Sequence, residues 1–159
     1  MEKKKSHMKA ESDINENKVN LILDLRKNGI DSPEILRVIE EIDRSYFVDS
    51  HLYDKSNLNT ALPIDCGQTI SQPLIVALMT QHLEVKNNMR VLEVGTGSGY
   101  QTLVLSKIAK FVYTVERYKT LHQKAKELLK IIKANNIFFR HGDGGHGWVE
   151  QAPFDRIIV

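Results

Sequence analysis

Apolar positions recur along this chain in two rhythms. From Ile14 to Asn28, the residues Ile14, Val19, Leu21, Ile22 and Leu25 fall near one face of a 3.6-residue spiral, and Gly29 follows where a helix commonly stops. Asp31-Ser32-Pro33-Glu34 predicts the start of a second helix, with Asp31 as cap and proline where the first turn tolerates it; Ile35, Leu36, Val38, Ile39 and Ile42 make its stripe. A third helix starts at Ser71-Gln72-Pro73, with Ser71 as N-cap and Leu74, Ile75, Leu78, Met79 and Leu83 as its core face. Two more are expected over Thr102 to Ala109 and Tyr118 to Ala134, the second with apolar positions 118, 121, 125, 128, 129 and 132. Between these lie short apolar runs at Val91 to Val94, Val112 to Glu116, Asn136 to Arg140 and Phe154 to Val159, which read as strands. Strands alternating with helices predict an α/β fold around a parallel sheet. Ser45 to Ile64 carries Tyr46, Phe47 and Tyr53 without periodicity and reads equally well as an ordered surface loop or as a segment that wraps over a ligand pocket.

The stretch Val91 to Gln101, VLEVGTGSGYQ, organises the rest. A strand runs into three glycines at alternate positions, Gly95, Gly97 and Gly99, and a helix follows at once. That order builds a nucleotide-type pocket at the carboxyl end of a strand. A dinucleotide site wants G-x-G-x-x-G, whereas this chain has E-x-G-x-G-x-G with Glu93 two positions ahead of Gly95. A carboxylate there repels a diphosphate but suits a ligand with an ammonium or sulfonium charge, and S-adenosylmethionine carries both. Glu116 ends the second strand roughly 20 residues after Gly95, where an acid accepts from ribose hydroxyls. Asp143-Gly144 follows the third and can offer a carboxylate and a backbone N–H to adenine. Singly, Glu116 reads equally well as a solvated strand end and Asp143 better as a plain turn. Three acids at three successive strand tips argue for one pocket.

Composition narrows the reading. Length of 159 residues, 42% apolar and 26% charged content describe one ordinary domain. A net charge of +2 gives no case for nucleic acid. The lysines 119, 124, 126, 130 and 133 fall largely off the apolar stripe of their helix and read as a solvated face. Lys3 to Lys5 lack the apolar segment of a signal peptide, and no run of 18 apolar residues is present, so no membrane span is expected. The single cysteine, Cys66, excludes an internal disulfide and is expected to be a small buried thiol in a reducing, cytoplasmic setting. Trp148 is expected to anchor packing, and His141 and His146 lack partners at metal-ligand spacing, so no metal is expected.

VLEVGTGSGYQ, the upstream GQTISQP (Gly67 to Pro73), the HGDGG turn and the closing FDRIIV together resemble the protein-L-isoaspartate (D-aspartate) O-methyltransferase family, from about Phe47 to the last residue. GQTISQP discriminates, because other methyltransferases share the glycine loop but not that heptapeptide. The resemblance implies a Rossmann-like class I S-adenosylmethionine-dependent methyltransferase fold. Here that means an incomplete sheet of order 3-2-1-4 with helices on both faces. It also implies methyl transfer from S-adenosylmethionine, giving S-adenosylhomocysteine, to the free α-carboxylate of L-isoaspartyl and D-aspartyl residues in damaged peptides and proteins.

On that reading Ser71 falls on the family's catalytic serine. Cofactor contacts fall on Gln68, Thr69, Ile70, Glu93, Gly95, Thr96, Gly97, Ser98, Gly99, Glu116, Arg117, Asp143 and Gly144. Glu93 and the glycine backbone would hold the methionine part, Glu116 the ribose, and Asp143 with Gly144 the adenine. The chain divides into a disordered tail (1–13), a helical cover and substrate-side segment (14–85) and a cofactor-binding core (86–159), effectively one domain. Family members continue past the fourth strand, so the chain reads as truncated; if complete, it is expected to be a monomer. Two alternatives stand beside this reading: an inactive cofactor-binding fragment, and a methyltransferase with another acceptor.

Overall fold

Parallel strands need crossover connections, and the segments between the apolar runs supply them. In the computed structural model, which describes residues 16–159, helix α1 covers 16–27 and α2 covers Pro33–Glu41. Two short 3₁₀ turns lead to a small antiparallel hairpin, β1 (Leu62–Pro63) and β2 (Thr69–Ile70), and then to α3 (Pro73–Leu83). The rest alternates: β3 (Arg90–Val94), α4 (Tyr100–Ser106), β4 (Phe111–Glu116), α5 (Lys119–Ile131), β5 (Ile137–His141) and β6 (Arg156–Ile158). The expected tail and Ile14 lie outside the described residues.

The four later strands form one parallel sheet in the order β5-β4-β3-β6, the expected 3-2-1-4. Val91 pairs with Val112, and Val112 with Ile137, so the apolar runs sit side by side in the centre. One face of the sheet (Val91, Val112, Ile158) packs on Leu105 and Ala109 after and within α4's end and on Met79 and Leu83 of α3. Leu129 of α5 belongs to the core against which Ile137 and Phe139 of β5 pack on that same side. The opposite face carries Leu92, Tyr113 and Val115 and is covered by Trp148 and Phe154. Helices were expected on both faces; among the described residues the helices of the sheet layer occupy one, and the 142–155 segment lies over the other. Trp148 is an anchor there, edge-on to Tyr113 with ring centroids 5.7 Å apart.

Helix α2 and α1 form a further layer outside α3 and α4, through Leu21, Leu25, Ile35, Leu36, Val38 and Ile39. Local readings needed four corrections. Val19 faces solvent rather than the core. Ser32, not Asp31, caps α2, its Oγ accepting from the Ile35 N–H at 3.4 Å, while the Asp31 N–H donates to Gln81 Oε1. The buried residues of α3 are Pro73, Val76, Ala77 and Thr80, with Ile75 exposed. That helix is apolar all round and is covered from two sides, so its sequence defines no single stripe. Cys66 is exposed, because it occupies the β1–β2 turn at φ 59° rather than a core position.

Candidate functional site

The glycine loop takes its shape from backbone that only glycine adopts freely. Gly95, Gly97 and Gly99 have φ of 96°, 55° and 88°. A Cβ at Gly95 would meet nothing, because that position opens on the cleft; one at Gly99 would meet Leu129 Cδ1 at 3.1 Å and Ala125 Cβ at 3.3 Å. Gly99 therefore lets α5 close against the loop. The three glycine amides are also engaged internally: Gly95 N–H donates to Val115 O, Gly97 N–H to Glu116 Oε2, and Gly99 N–H to Thr96 O. The glycines thus provide access and curvature, and with these N–H groups engaged internally, any hold of the glycine backbone on a ligand falls to its carbonyls and its open face.

Eight of the expected residues meet in one cleft of about 330 Å³: Gln68, Thr69, Gly95, Gly97, Glu116, Arg117, Asp143 and Gly144. Parallel pairing makes this so, since it brings the carboxyl ends of β3, β4 and β5 to one edge. Glu116 is buried and fixed by two backbone amides, from Gly97 to Oε2 and from Tyr118 to Oε1, each 2.9 Å. Each carboxylate oxygen keeps a further lone pair for a ligand hydroxyl. Asp143 Oδ1 accepts from Gly145 N–H at 2.8 Å, which sets the turn and leaves Oδ2. Gly144 lies directly on β3, where a Cβ would come within 2.3 Å of Val94 Cγ1, so the adenine-side loop forms a close floor. Arg117 stacks its guanidinium on Tyr118, 4.8 Å from the ring centroid.

Ile70, Ser71, Thr96 and Ser98 line a smaller hollow that shares Thr69, Gly95 and Gly97 with the cleft. Ser71 does not cap α3. The cap position is Gln72, and the first-turn amide of Leu74 donates instead to Asn59 Oδ1 at 3.0 Å. The Ser71 hydroxyl is thereby left exposed beside the glycine loop. Glu93 is absent from the main cleft lining and shares a third hollow, of about 100 Å³, with Ser71, Met79, Gln101 and Ile158. Its carboxyl is buried: Oε2 accepts from Thr102 Oγ1 at 2.5 Å and Thr114 Oγ1 at 2.6 Å, and Oε1 has no partner. Burial pushes this acid up to about 7, the two hydroxyls opposing the shift and Glu116 adding to it.

Three features escaped the sequence reading. Arg44 is 2% exposed and, among the described residues, has no carboxylate beside it. Its guanidinium donates to the carbonyls of Ser56 (2.8 Å), Thr60 (2.9 Å) and Ser71 (3.0 Å) and lies 5.7 Å from the Tyr100 ring centroid. Burial lowers its pKa and pushes the Tyr100 phenol up to about 12. In sequence Thr102 reads as the start of a helix and Thr114 as part of an apolar strand, with no role for either hydroxyl. Lys124 ties α5 to Asp65 on the β1–β2 turn at 2.5 Å, so the hairpin beside the glycine loop is latched to the helix behind it.

A parallel α/β sheet with acids and glycines converging on one edge defines the class of nucleoside-pocket α/β proteins. Residues 15–159 match the protein-family model described as Protein-L-isoaspartate(D-aspartate) O-methyltransferase (PCMT), and the chain belongs to that family. It is 53% identical over 135 residues to a protein-L-isoaspartate O-methyltransferase of Caulobacter vibrioides, covering 85% of this chain and 61% of that protein. The corresponding protein of Rhodospirillum rubrum is 50% identical over 143 residues, covering 89% and 65%. Among solved structures, a protein-L-isoaspartate O-methyltransferase superposes with a TM-score of 0.80 at 30% identity, covering 89% of this chain and 47% of that one. A putative relative from Plasmodium falciparum, in complex with S-adenosyl-L-homocysteine, gives 0.72 at 26% identity, covering 87% and 70%. The chain spans about 61–66% of the length of the curated relatives it matches. Among the described residues no helix is long and apolar enough to cross a membrane.

Proposed function

We propose that the cleft at the tips of β3, β4 and β5 binds S-adenosylmethionine. We further propose that methyl transfer goes to the free α-carboxylate of an L-isoaspartyl or D-aspartyl residue presented at Ser71. The observation that carries this reading is the convergence of Glu116, Asp143, Gly144 and the open face of Gly95 on one cleft, with the exposed Ser71 hydroxyl across the same glycine loop. The orphaned Glu93 Oε1 fits the ligand further, as a buried acceptor that an ammonium would satisfy. The bound S-adenosyl-L-homocysteine of the Plasmodium falciparum relative supports the same ligand class.

When bound, the cofactor supplies an electrophilic methyl group on a cationic sulfur. The acceptor, an α-carboxylate of ordinary pKa about 3.5, is already ionised at neutral pH and needs no general base. This chain's residues therefore have positioning to do rather than proton transfer. Glu116 takes the ribose hydroxyls on its remaining lone pairs, and Asp143 Oδ2 with the Gly144 backbone reads the adenine edge. Gln68 and Thr69 close the cleft from the hairpin, with Arg117 at its rim. Ser71 donates its hydroxyl to the acceptor carboxylate, and Ile70 and Thr96 shape the wall beside it.

Two variants test the assignment. Glu116→Ala should weaken S-adenosylhomocysteine binding by about 1–3 kcal/mol in calorimetry, the loss of a charged hydrogen-bonding partner; unchanged affinity would remove Glu116 from the ribose site. Ser71→Ala should keep that affinity within about twofold while slowing methyl transfer to an isoaspartyl peptide by tenfold or more, as its contact forms only with the acceptor. Binding without any transfer by the unaltered chain would reduce the reading to cofactor binding alone.

A further inference from the structure

Three threonine hydroxyls sit almost without solvent contact under the glycine loop. Thr102 and Thr114 are 0% exposed and Thr96 is 3% exposed. Thr102 Oγ1 and Thr114 Oγ1 both reach Glu93 Oε2, and Thr96 Oγ1 lies 2.6 Å from Thr114 Oγ1. An ionised carboxylate has no proton to give, so both threonines donate to it. The only proton of Thr114 is then committed, and Thr96 must donate to Thr114. Hydroxyl dipoles from α4, β4 and the glycine loop thus run one way, toward a single oxygen. The other oxygen of the same carboxylate has no partner and touches no solvent.

We infer that Thr102 and Thr114 are positioning residues. By loading both hydroxyls on Oε2 they hold Glu93 as an anion and leave Oε1 for the ammonium group of an amino-acid-bearing nucleoside. The inference rests on the proposed cofactor reading and extends it to residues that touch no ligand. The register makes the arrangement possible: Glu93 pairs with Thr114 across β3–β4, and Thr102 lies in the first turns of α4. Among charged groups, Glu116 at the tip of β4 faces Glu93 and disfavours its ionisation. Met79 of α3, Gln101 of α4 and Ile158 of β6, which share its hollow, carry no charge. Against burial and Glu116, the two hydroxyls are what favours the anion.

The test is the pH profile of S-adenosylhomocysteine binding, by calorimetry from pH 5.5 to 8.5, in the unaltered protein, Thr114→Val, Thr102→Val and Thr114→Ser. Affinity of the unaltered protein should climb through about pH 7 as Glu93 ionises. Each valine variant should move that midpoint up by about one pH unit or more, and the serine variant should restore it. Any decline from the ligand's own amino group is common to all four proteins and cancels in their ratios. 5′-Methylthioadenosine, the same nucleoside without an ammonium, should bind with no such midpoint. A valine variant that weakens binding equally at every pH overturns the inference and makes the threonines structural only. So does a flat profile in the unaltered protein while both nucleosides bind, which leaves the cofactor reading standing. Failure of both nucleosides to bind removes the cofactor reading and the inference with it. Should one valine variant not fold, the other, with the serine variant, carries the comparison.

Discussion

Arg44→Met is expected to lower stability by about 2–4 kcal/mol, read as a lower urea midpoint at unchanged slope. The largest fully buried side chain in the described protein is this arginine, and its charge is answered by three carbonyls and an aromatic face rather than by an acid. Methionine replaces much of the volume but leaves the carbonyls of Ser56, Thr60 and Ser71 without their donor, at about 1–3 kcal/mol each if they stay dry. Part of that is offset, because an uncompensated buried cation is itself costly and its removal is a relief. Arg44→Lys keeps the charge but cannot span three acceptors with one ammonium, so it should recover less than half of the loss. Amide exchange should quicken across residues 56–71, since the arginine joins those segments to the ring of Tyr100. A midpoint shift worth under about 0.5 kcal/mol would mean that water takes over the three carbonyls without penalty.

What the sequence made legible was whatever follows from period and from strand-tip chemistry. The four apolar runs follow from short apolar segments alternating with helices; their order in the sheet followed from the family resemblance, and parallel pairing in that order brings Glu116, Asp143 and the glycine loop together. What stayed hidden depends on partners distant in the chain. Ser71 has the sequence of a cap, but Asn59 arrives from the preceding loop to take the Leu74 amide. Arg44 stands in a polar stretch with no periodicity, and only the fold wraps three carbonyls around it. Thr114 reads as an ordinary β-branched strand residue, and only its register with Glu93 makes it a donor to a buried acid. The internal use of all three glycine amides was equally invisible, because a loop's spacing does not say which way its N–H groups turn.

Glu93→Gln should make the protein more stable above pH 7 and worse at its proposed task. Burial raises this acid from an ordinary 4.5 to about 7. Between those values the folded chain holds a proton that the unfolded chain has lost, so stability falls as pH rises through that window. The decline reaches about 3 kcal/mol by pH 8, the cost of keeping an anion in a dry site with one oxygen unpartnered. Glutamine has no charge to bury, so this part of the pH dependence should vanish. Its carbonyl can still take the Thr102 and Thr114 hydroxyls, but its NH₂ is left without an acceptor, at about 1–3 kcal/mol. Unfolding curves of the two proteins should therefore cross: the variant equal or weaker at pH 5, and stronger at pH 8. Over the same range its affinity for S-adenosylhomocysteine should drop by about tenfold or more at pH 8 and by less at pH 5.5, where the native acid is itself neutral. A variant that tracks the native protein's stability at every pH would show that folding does not shift the ionisation of Glu93, and the ammonium site would have to be sought elsewhere in the cleft.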